Sequence, residues 1–431
     1  MIRSAAAMVP LFLCGMTTAA TINVPGDYEY IQDAIGASEK GDEILVAPGT
    51  YTGTGDWVIN TLGKAIIIRA TGTPEETILD GEVLRQVVRI TSGEGADTVI
   101  EGFTITGGSA TDGGGIYCGN NSIATIINCT ISDNHAQGSI GGVWPIGGGG
   151  GIYCTENSSP TITGCMITDN TSGVHGGGIY CNNSSPTISG CTISDNTNNW
   201  WGGGIYCDEN SSPTINDCMI SGNSAAFGGG VSCDESNPTI TGCTISANTG
   251  GSGGAVVCSN SSPTITGCTI SNNTADYAGG GIYCKGGIPT IAGCTIADNT
   301  ANWNGGGIYC TGSSPTITDC AITGNAATSS GYDGGGIYCD FYSSPKLTNT
   351  VICGNDLDQI YGTWDDNGGN TIADECCPAD INGDGQVNVE EVLTVISAWD
   401  TDDAGADINS DGIIDVEDLL IVISAWGFCP G

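Results

Sequence analysis

The sequence predicts an all-β chain that folds as a right-handed parallel β-helix, followed by a small α-helical module at the C-terminus. Glycine accounts for 71 of the 431 residues, and the glycines recur in a fixed frame. Short β-branched runs recur with the same period, as expected of stacked structural repeats. Near Pro378 the glycine content falls and acidic stretches alternate with apolar ones. The predicted boundaries are 21–375 for the β-helix and 376–431 for the C-terminal module.

Residues 1–20 have the pattern of a cleavable secretion signal. An apolar stretch at 5–13 follows Arg3, and small residues occupy 18–20. A lipoprotein signal is a less favoured alternative, because bulky residues precede Cys14. No segment offers the roughly 18 continuous apolar residues of a membrane-spanning helix. We therefore expect a bacterial protein that is secreted, extracellular or held at the cell surface.

The region after the signal predicts a cap and several irregular coils. Residues 28–38 place Ile31, Ala34 and Ile35 on one face, which predicts a short helix over the open end of the first coil. Apolar runs then predict the first strands, at 43–47, 65–68, 87–90 and 99–105. The segments INVPGDY at 22–28 and VAPGTY at 46–51 resemble the N-terminus of pectin-lyase-like β-helix proteins. With the repeats, this resemblance implies the β-helix fold over 21–375.

The regular repeat has a clear frame. One copy consists of GGGIYC, NNSSP and TISGCTISDN at 176–196, and the usual step to the next copy is 25 to 27 residues. Its three short runs cannot each bury a face alone, but stacking pairs every run with its own equivalent. Alternation places Ile179 and Cys181 on the interior side and Tyr180 on the outer side.

An asparagine closes each copy and predicts a structural ladder of stacked side-chain amides at one turn. Its members are Asn134, Asn170, Asn196, Asn223, Asn248, Asn273, Asn299, Asn325 and Asn355.

Cysteines form two predicted columns of nine residues each. The first contains Cys118, Cys154, Cys181, Cys207, Cys233, Cys258, Cys284, Cys310 and Cys339, and the second contains Cys129, Cys165, Cys191, Cys218, Cys243, Cys268, Cys294, Cys320 and Cys353. Neighbours in a column would lie about 4.8 Å apart, which permits either disulfides or stacked free thiols. A zinc site is not expected, because the repeats contain no CxxC pair and only His135 and His175 as histidines.

The C-terminal module contains two twelve-residue loops that match the calcium-binding pattern, at 380–391 and 407–418. The predicted ligands of two Ca²⁺ ions are Asp380, Asn382, Asp384, Gln386, Asn388 and Glu391 in the first loop, and Asp407, Asn409, Asp411, Ile413, Asp415 and Asp418 in the second. In each loop the seventh residue would contribute its carbonyl oxygen and the ninth would act through water.

Each loop is followed by one predicted helix, at 392–399 and at 419–426, with no clear helix before it. This duplicated unit at 378–428 resembles the type I dockerin domain, whose members bind two calcium ions and dock into cohesin domains. The resemblance implies a cohesin-like or cell-surface partner protein. Loop positions 10 and 11 are Val-Glu in both copies, where that family often has small hydroxyl residues, so the partner is open. Cys429 could close the module by a disulfide with either Cys376 or Cys377.

The net charge of the chain argues against polyanionic partners. The chain has 47 acidic and 8 basic residues and a formal net charge of −39. Such a surface repels nucleic acid and anionic lipid, so neither is expected as a partner.

Aromatic side chains just before the glycine runs predict a stripe along one edge of the rod. They are Trp144, His175, Trp200, Trp201, Phe227, Tyr277, Trp303 and Tyr332. The stripe would either stack on the sugar rings of a polysaccharide or cover glycine-rich backbone. A second ladder is predicted from Tyr117, Tyr153, Tyr180, Tyr206, Tyr283, Tyr309 and Tyr338, with the same two interpretations.

These features favour a non-catalytic, polysaccharide-binding β-helix, and no catalytic residue is assigned. The pectin-lyase-like resemblance implies an alternative, a polysaccharide lyase or glycoside hydrolase. The repeats lack the paired carboxylates of a hydrolase, and after Arg89 only Lys285 and Lys346 are basic. A hidden enzyme site would be sought among Arg69, Asp80, Arg85 and Arg89.

Overall fold

The chain winds as a right-handed β-solenoid of about 13 turns. A computed structural model describes residues 19–138, 147–329, 331, 333–377, 379–381, 386–399, 406–408 and 413–428. Four parallel sheets follow the rod, with 14, 13, 12 and 9 strands, and are called sheets 1 to 4 here. Most of the predicted signal sequence lies outside the described residues.

Sheets 1 and 2 contain the two TIS-type runs of each coil, as predicted. The strands of sheet 1 are Thr21–Val24, Glu43–Val46, Ile67–Ala70, Val99–Glu101, Thr125–Ile127, Thr161–Thr163, Thr187–Ser189, Thr214–Asn216, Thr239–Thr241, Thr264–Thr266, Thr290–Ala292, Thr316–Thr318, Lys346–Thr348 and Asp365–Asp366. Those of sheet 2 are Gly49–Thr52, Thr77–Asp80, Thr104–Thr106, Thr130–Ser132, Met166–Thr168, Thr192–Ser194, Met219–Ser221, Thr244–Ser246, Thr269–Ser271, Thr295–Ala297, Ala321–Thr323, Val351–Cys353 and Thr371–Ala373.

Sheet 3 contains the run after the glycines, and sheet 4 was not predicted. The strands of sheet 3 are Trp57–Asn60, Gln86–Ile90, Ile116–Cys118, Ile152–Cys154, Ile179–Asn182, Ile205–Asp208, Val231–Asp234, Val256–Ser259, Ile282–Lys285, Ile308–Thr311, Ile337–Cys339 and Ile360–Tyr361. Those of sheet 4 are Ser109–Ala110, His135–Ala136, Thr171–Ser172, Thr197–Asn198, Ser224–Phe227, Thr249–Ser252, Thr274–Ala275, Thr300–Ala301 and Ala326–Ala327. Most of these strands have two residues, too few to show an alternating pattern.

Like residues stack on like residues inside the rod. Cys181 pairs in register with Cys207, and Cys207 pairs with Cys233. Ile179 and Cys181 are fully buried in the interior cluster, whereas Tyr180 is outside that cluster. The predicted alternation is therefore confirmed.

The asparagine ladder is confirmed along the whole series. Each side-chain amide donates to the side-chain oxygen of the next asparagine at 2.9 to 3.0 Å, from Asn134 to Asn355. Asn355 then donates to Gln359 at 2.8 Å. The ladder satisfies polar groups that the turn would otherwise bury without partners.

The second cysteine column has eight members, so the assignment of Cys353 to it is wrong. Ala321 pairs with Val351 and Thr323 pairs with Cys353, which puts Thr350 at the position of Cys320. Thr350 is fully buried and its hydroxyl donates to the Thr348 carbonyl, the same type of contact that the Cys320 thiol makes. A spacing of 14 residues in the last copy, against 10 or 11 elsewhere, was the signal for this shift.

The open disulfide question is resolved for the columns. All 17 remaining column cysteines are buried free thiols. Cys353 instead forms a disulfide with Cys376, so the alternative in which Cys376 pairs with Cys429 is wrong. Cys377 is disulfide-bonded as well, and its predicted partner Cys429 lies outside the described residues.

The glycine run is explained by the close approach of successive coils. The backbone N–H groups of Gly176, Gly177 and Gly178 donate to the next coil at 2.9 to 3.0 Å. A Cβ atom on Gly178 would lie 2.7 Å from the Gly204 carbonyl oxygen of the next coil. A side chain therefore cannot be accommodated there without moving the backbone.

The predicted N-terminal cap is helix α1, Ile31–Ala37, with Ile31, Ala34 and Ile35 buried. The Lys64 ammonium group donates to three carbonyl oxygens at the end of this helix, at 2.6 to 2.7 Å. This contact fixes the cap to the first coils. A 3₁₀ turn at Pro74–Glu76 interrupts the irregular coils.

The C-terminal region contains helices α2, Val389–Ser397, and α3, Val416–Ser424, each starting three residues earlier than predicted. The strand before α2, Gln386–Val387, pairs in antiparallel orientation with the strand after α3, Gly427–Phe428. The apolar cluster of this region, which includes Val387, Val395 and Val422, is separate from the rod interior. Among the described residues, no helix is long and apolar enough to cross a membrane.

Candidate functional site

Part of the predicted aromatic stripe packs against the rod. His175, Trp201 and Phe227 lie in register on successive coils. The rings of Trp201 and Phe227 stack at 4.4 Å, and the His175 ring lies 5.2 Å from Tyr180 and 5.0 Å from Tyr206. His175 and Trp201 therefore lie beside the tyrosines on the outer face of sheet 3, and Phe227 packs on Trp201.

The other described members of the stripe are exposed. Trp200 has 51%, Tyr277 49% and Trp303 42% of its surface accessible. The rings of Tyr277 and Trp303 lie 4.8 Å apart in an edge-to-face arrangement. Trp144 and Tyr332 lie outside the described residues. We call Tyr277 and Trp303 the exposed aromatic pair.

The tyrosine ladder follows sheet 3 in two segments. Tyr153, Tyr180 and Tyr206 stack at 4.9 and 5.2 Å, and Ser232 and Val257 then interrupt the series. Stacking resumes at 5.0 to 5.1 Å through four tyrosines, Tyr283, Tyr309, Tyr338 and Tyr361. Tyr361 was missed because its coil lacks the repeat motif.

Burial differs between the two segments. Tyr180 and Tyr206 are almost fully buried, and this burial raises the pKa of both phenols. Tyr283, Tyr309 and Tyr338 are half-buried, so their edges can contact a ligand. Burial, with smaller effects of the neighbouring tyrosines, raises the pKa of Tyr309 to about 12.

The four residues proposed for a hidden enzyme site do not meet. Arg69 lies on sheet 1, where it forms ion pairs with Glu43 at 2.6 Å and Glu101 at 2.8 Å. Asp80 accepts a hydrogen bond from a backbone N–H in its own turn. Arg85 and Arg89 alone line a common cleft, beside sheet 3.

The predicted calcium loops are described in part. Glu391 and Asp418, the twelfth loop residues, are fully buried. Glu391 accepts the Asn388 N–H at 2.7 Å, and Asp418 accepts the Asp415 N–H at 2.9 Å. The Asn388 and Asp415 side chains in turn cap α2 and α3, which explains why the helices begin inside the loops.

One buried oxygen fits the predicted metal role. Glu391 Oε1 has no hydrogen-bond partner among the described residues, and a buried carboxylate oxygen is rarely left in that state. The predicted ligands Asn382, Asp384, Asn409 and Asp411 lie outside those residues. Within the described part of the chain, no group of three His, Cys, Asp or Glu side chains is close enough together to hold a metal ion.

The two helices expose equivalent apolar faces, a feature that loop matching did not identify. Each exposed apolar residue of α2 has an exposed apolar counterpart in the same place on α3, and their accessible fractions lie between 50% and 58%. The pairs are Val389 with Val416, Leu393 with Leu420, and Ile396 with Ile423. Large exposed apolar patches on soluble domains commonly mark interaction sites.

Comparisons with known proteins concern the rod. No curated protein matches the chain in sequence. Among solved structures, a pectate lyase shares 15% identity over 83% of this chain and 80% of its own, with a TM-score of 0.39. A mannuronan C-5 epimerase module of Azotobacter vinelandii shares 12% identity over 79% and 91%, with a TM-score of 0.38. An alginate lyase in complex with a trisaccharide shares 14% identity over 83% and 89%, with a TM-score of 0.40.

A family profile described as "Right handed beta helix region" matches residues 85–230, 178–352 and 255–387. These matches overlap and cover more than half of the chain. They agree with the parallel register and the right-handed coils of the rod. The chain therefore belongs to the right-handed β-helix region family.

Proposed function

We propose that the protein is a non-catalytic, extracellular β-helix that binds polysaccharide and is attached to a partner protein by a calcium-dependent, dockerin-like module. The main evidence for polysaccharide binding is the exposed aromatic pair. Tyr277 has 49% and Trp303 has 42% of its surface accessible to solvent, whereas His175, Trp201 and Phe227 on earlier coils make ring contacts with neighbouring aromatic side chains. Sugar rings have apolar faces that stack on such side chains.

Three half-buried tyrosines, Tyr283, Tyr309 and Tyr338, form a regular series on the same part of the rod. Tyr283 lies one coil before Tyr309, which lies one coil before Tyr338, at ring spacings of 5.1 Å. A regular series of flat side chains along a straight axis suits an extended chain of similar units. The acidic surface of the protein favours a neutral segment of polysaccharide at this face.

A binding assay on purified protein tests this role. Trp303→Ala and Tyr277→Ala should each weaken binding to glycan-array ligands and to the best soluble polymer by roughly tenfold, because each removes a stacking surface. Phe341→Ala is the matched control, since Phe341 is 92% exposed and lies outside the pair. Equal loss in all three variants, or no glycan binding by the wild type, contradicts the proposal.

The docking role is supported by the C-terminal module. The buried Glu391 carboxylate has an oxygen available for a cation, and oxygen donors of this kind suit Ca²⁺. The paired faces of α2 and α3 offer apolar area for a partner protein. Calcium would neutralise clustered carboxylates and so stabilise the helices that present these faces.

Calcium titration of the full-length protein tests this module. Glu391→Gln should abolish one of two binding events and reduce the calcium-induced rise in melting temperature, because position 12 supplies carboxylate oxygens. Glu390→Gln, at the adjacent exposed position, should leave both events unchanged. Unaltered calcium binding by Glu391→Gln would rule out the loop assignment.

A polysaccharide-degrading enzyme is the second candidate, favoured by one observation. Asp112 lies in the cleft with Arg85 and Arg89, and burial raises the pKa of its carboxyl group, partly offset by a hydrogen bond from the Gly148 backbone. A carboxyl group of raised pKa near cations can transfer protons. Steady release of reducing ends from pectic or alginate polymers would establish the enzyme and reject the non-catalytic role.

A further inference from the structure

The first coils carry a cleft that differs in charge from the rest of the protein. Its volume is about 560 Å³, within the range of about 300–1,000 Å³ that is usual for small-molecule sites. Trp57, Arg85, Gln86, Arg89, Asp112 and Tyr117 are among the residues that line it. Two of the eight basic residues of a chain with net charge −39 therefore meet in one place.

Arg89 is held in an unusual manner. Its guanidinium carbon lies 5.5 Å from the centre of the Trp57 ring and 5.3 Å from that of Tyr117, so the cation contacts two aromatic faces. Its one hydrogen bond among the described residues is a long contact of 3.4 Å to Gln86 Oε1. The Gln86 amide is itself fixed by donation to the carbonyls of Asp112 and Gly113 at 2.8 and 2.9 Å.

Arg89 differs from the other two arginines of the first coils because it has no carboxylate partner in the described part of the chain. Arg69 has two carboxylate partners and Arg85 has one, Glu82 at 2.8 Å. Arg89 forms no ion pair with any carboxylate in the described part of the chain. Stacking fixes the plane of its guanidinium group and leaves the N–H edge able to bind an oxyanion through two parallel hydrogen bonds.

The cleft wall also contains polar side chains that can form hydrogen bonds with the hydroxyl groups of a sugar next to the anionic group. Asp56, Ser109 and Thr111 add polar side chains to the lining. Acidic side chains would repel a bare inorganic anion but accept hydrogen bonds from the hydroxyl groups of a sugar.

We propose that this cleft binds a small sugar that carries an oxyanion, either a carboxylate or a sulfate ester, and that Arg89 recognises the anionic group. The assumption that the ligand is a sugar rests on the proposed function. The site is separate from the exposed aromatic pair, which lies on later coils. Trp57 also lines a neighbouring cleft of about 520 Å³ beside α1, which offers room for a further sugar unit.

Calorimetric titration of the full-length protein tests the cleft with three probes. A galacturonate trimer carries carboxylates, its methyl ester is a neutral molecule of similar size, and a sulfated galactose oligosaccharide carries sulfate esters. We expect at least one charged probe to bind, and the neutral ester to bind at least tenfold more weakly, because it lacks the charge-assisted hydrogen bonds to Arg89. The charged probe that binds more tightly identifies the oxyanion.

Variants test whether Arg89 is responsible for binding of the charged probe. Arg89→Gln should weaken binding of the charged probe roughly tenfold or more and remove its salt dependence, while Arg89→Lys should recover part of the affinity. Arg69→Gln is the control, since Arg69 is already paired on sheet 1. Melting temperatures of all variants show whether the fold is retained.

Three outcomes overturn the proposal: no binding of either charged probe, equal binding of the neutral ester, or unchanged affinity in Arg89→Gln. Trp303→Ala separates this result from the proposed function. It should weaken polymer binding at the exposed aromatic pair and leave the charged probe unaffected. If Trp303→Ala weakened neither polymer binding nor binding of the charged probe, the result would contradict the role of the exposed aromatic pair and leave the proposal for the cleft intact.

Discussion

Glu94 shows how single residues stabilise the irregular first coils. Its carboxylate is almost fully buried and accepts hydrogen bonds from the Thr61 hydroxyl at 2.6 Å and the Ser122 hydroxyl at 2.7 Å. Two backbone N–H groups, of Gly63 and Ser92, complete the shell at 2.9 and 2.8 Å. Burial favours the neutral acid, but these donors outweigh it, so the pKa of Glu94 lies below its usual value.

This lowered pKa predicts a dependence of stability on pH. The charged form of Glu94 stabilises the folded state above the pKa of an unfolded glutamate, about 4.3, and this contribution is lost as pH falls through the lower folded pKa. Glu94→Gln should therefore lower the free energy of unfolding at pH 7, by about 1–3 kcal/mol, and the difference from wild type should shrink toward pH 3. Urea denaturation at both pH values measures it. Glu39→Gln, at an exposed site, is the control, and a difference that grows on acidification would contradict the sign.

Few of these residue contacts could be predicted from the sequence. The alternation rule correctly placed Ile179 and Cys181 inside, because strand periodicity alone decides it. The roles of Glu94 and Lys64 depend on partners about 30 residues away and on no local pattern. The pairing of Trp57 with Arg89 was likewise inaccessible, since irregular coils carry no repeat frame.

At the scale of elements, the amide ladder couples neighbouring coils. Asn223 donates to the Ile193 carbonyl at 2.8 Å and to Asn248 at 3.0 Å, and its oxygen accepts from the Asn196 side chain at 3.0 Å. All of these groups are buried. Removing one amide leaves partners on both sides unsatisfied.

Asn223→Leu should therefore destabilise the rod strongly. The side chain has a similar size but no hydrogen-bonding groups, so we expect a loss of about 2–4 kcal/mol. Thr244→Ala, an exposed position on sheet 2, should cost much less. Chemical denaturation followed by circular dichroism compares the two variants, and equal midpoints would show that the ladder contributes little.

The sequence predicted the elements of the regular coils well and their exceptions poorly. The three main runs and the ladder follow from a repeat of fixed length, in which like residues must meet. Sheet 4 was missed because its strands are too short, and Cys353 was misplaced because the last copy is irregular. Helices α2 and α3 begin earlier than predicted because loop residues serve as their caps.

For the whole molecule, the two thiol columns define an interior that excludes solvent. The 17 free cysteines of the two columns are buried, and the first column continues in register through nine coils. Reagents reach such thiols only when coils open, which requires the loss of stacking on both sides. The reactivity of the column cysteines therefore indicates whether the coils remain stacked.

Thiol titration provides the corresponding prediction. The native protein should react slowly with a disulfide reagent such as Ellman's reagent, because the column thiols have almost no accessible surface. In concentrated guanidinium chloride, at least 17 thiols should react rapidly. Rapid reaction of many thiols in the native state would show that column cysteines are exposed or that the coils open readily.

In-register stacking also means that the length of the rod depends directly on the number of coils. Each coil adds about 4.8 Å of length, so about 13 turns extend over roughly 60 Å. Since every copy contacts only its two neighbours, inserting or deleting one whole copy would change the reach of the shaft by one fixed increment while conserving its cross-section. Gene duplication within the array could therefore set the distance over which this protein acts in discrete steps.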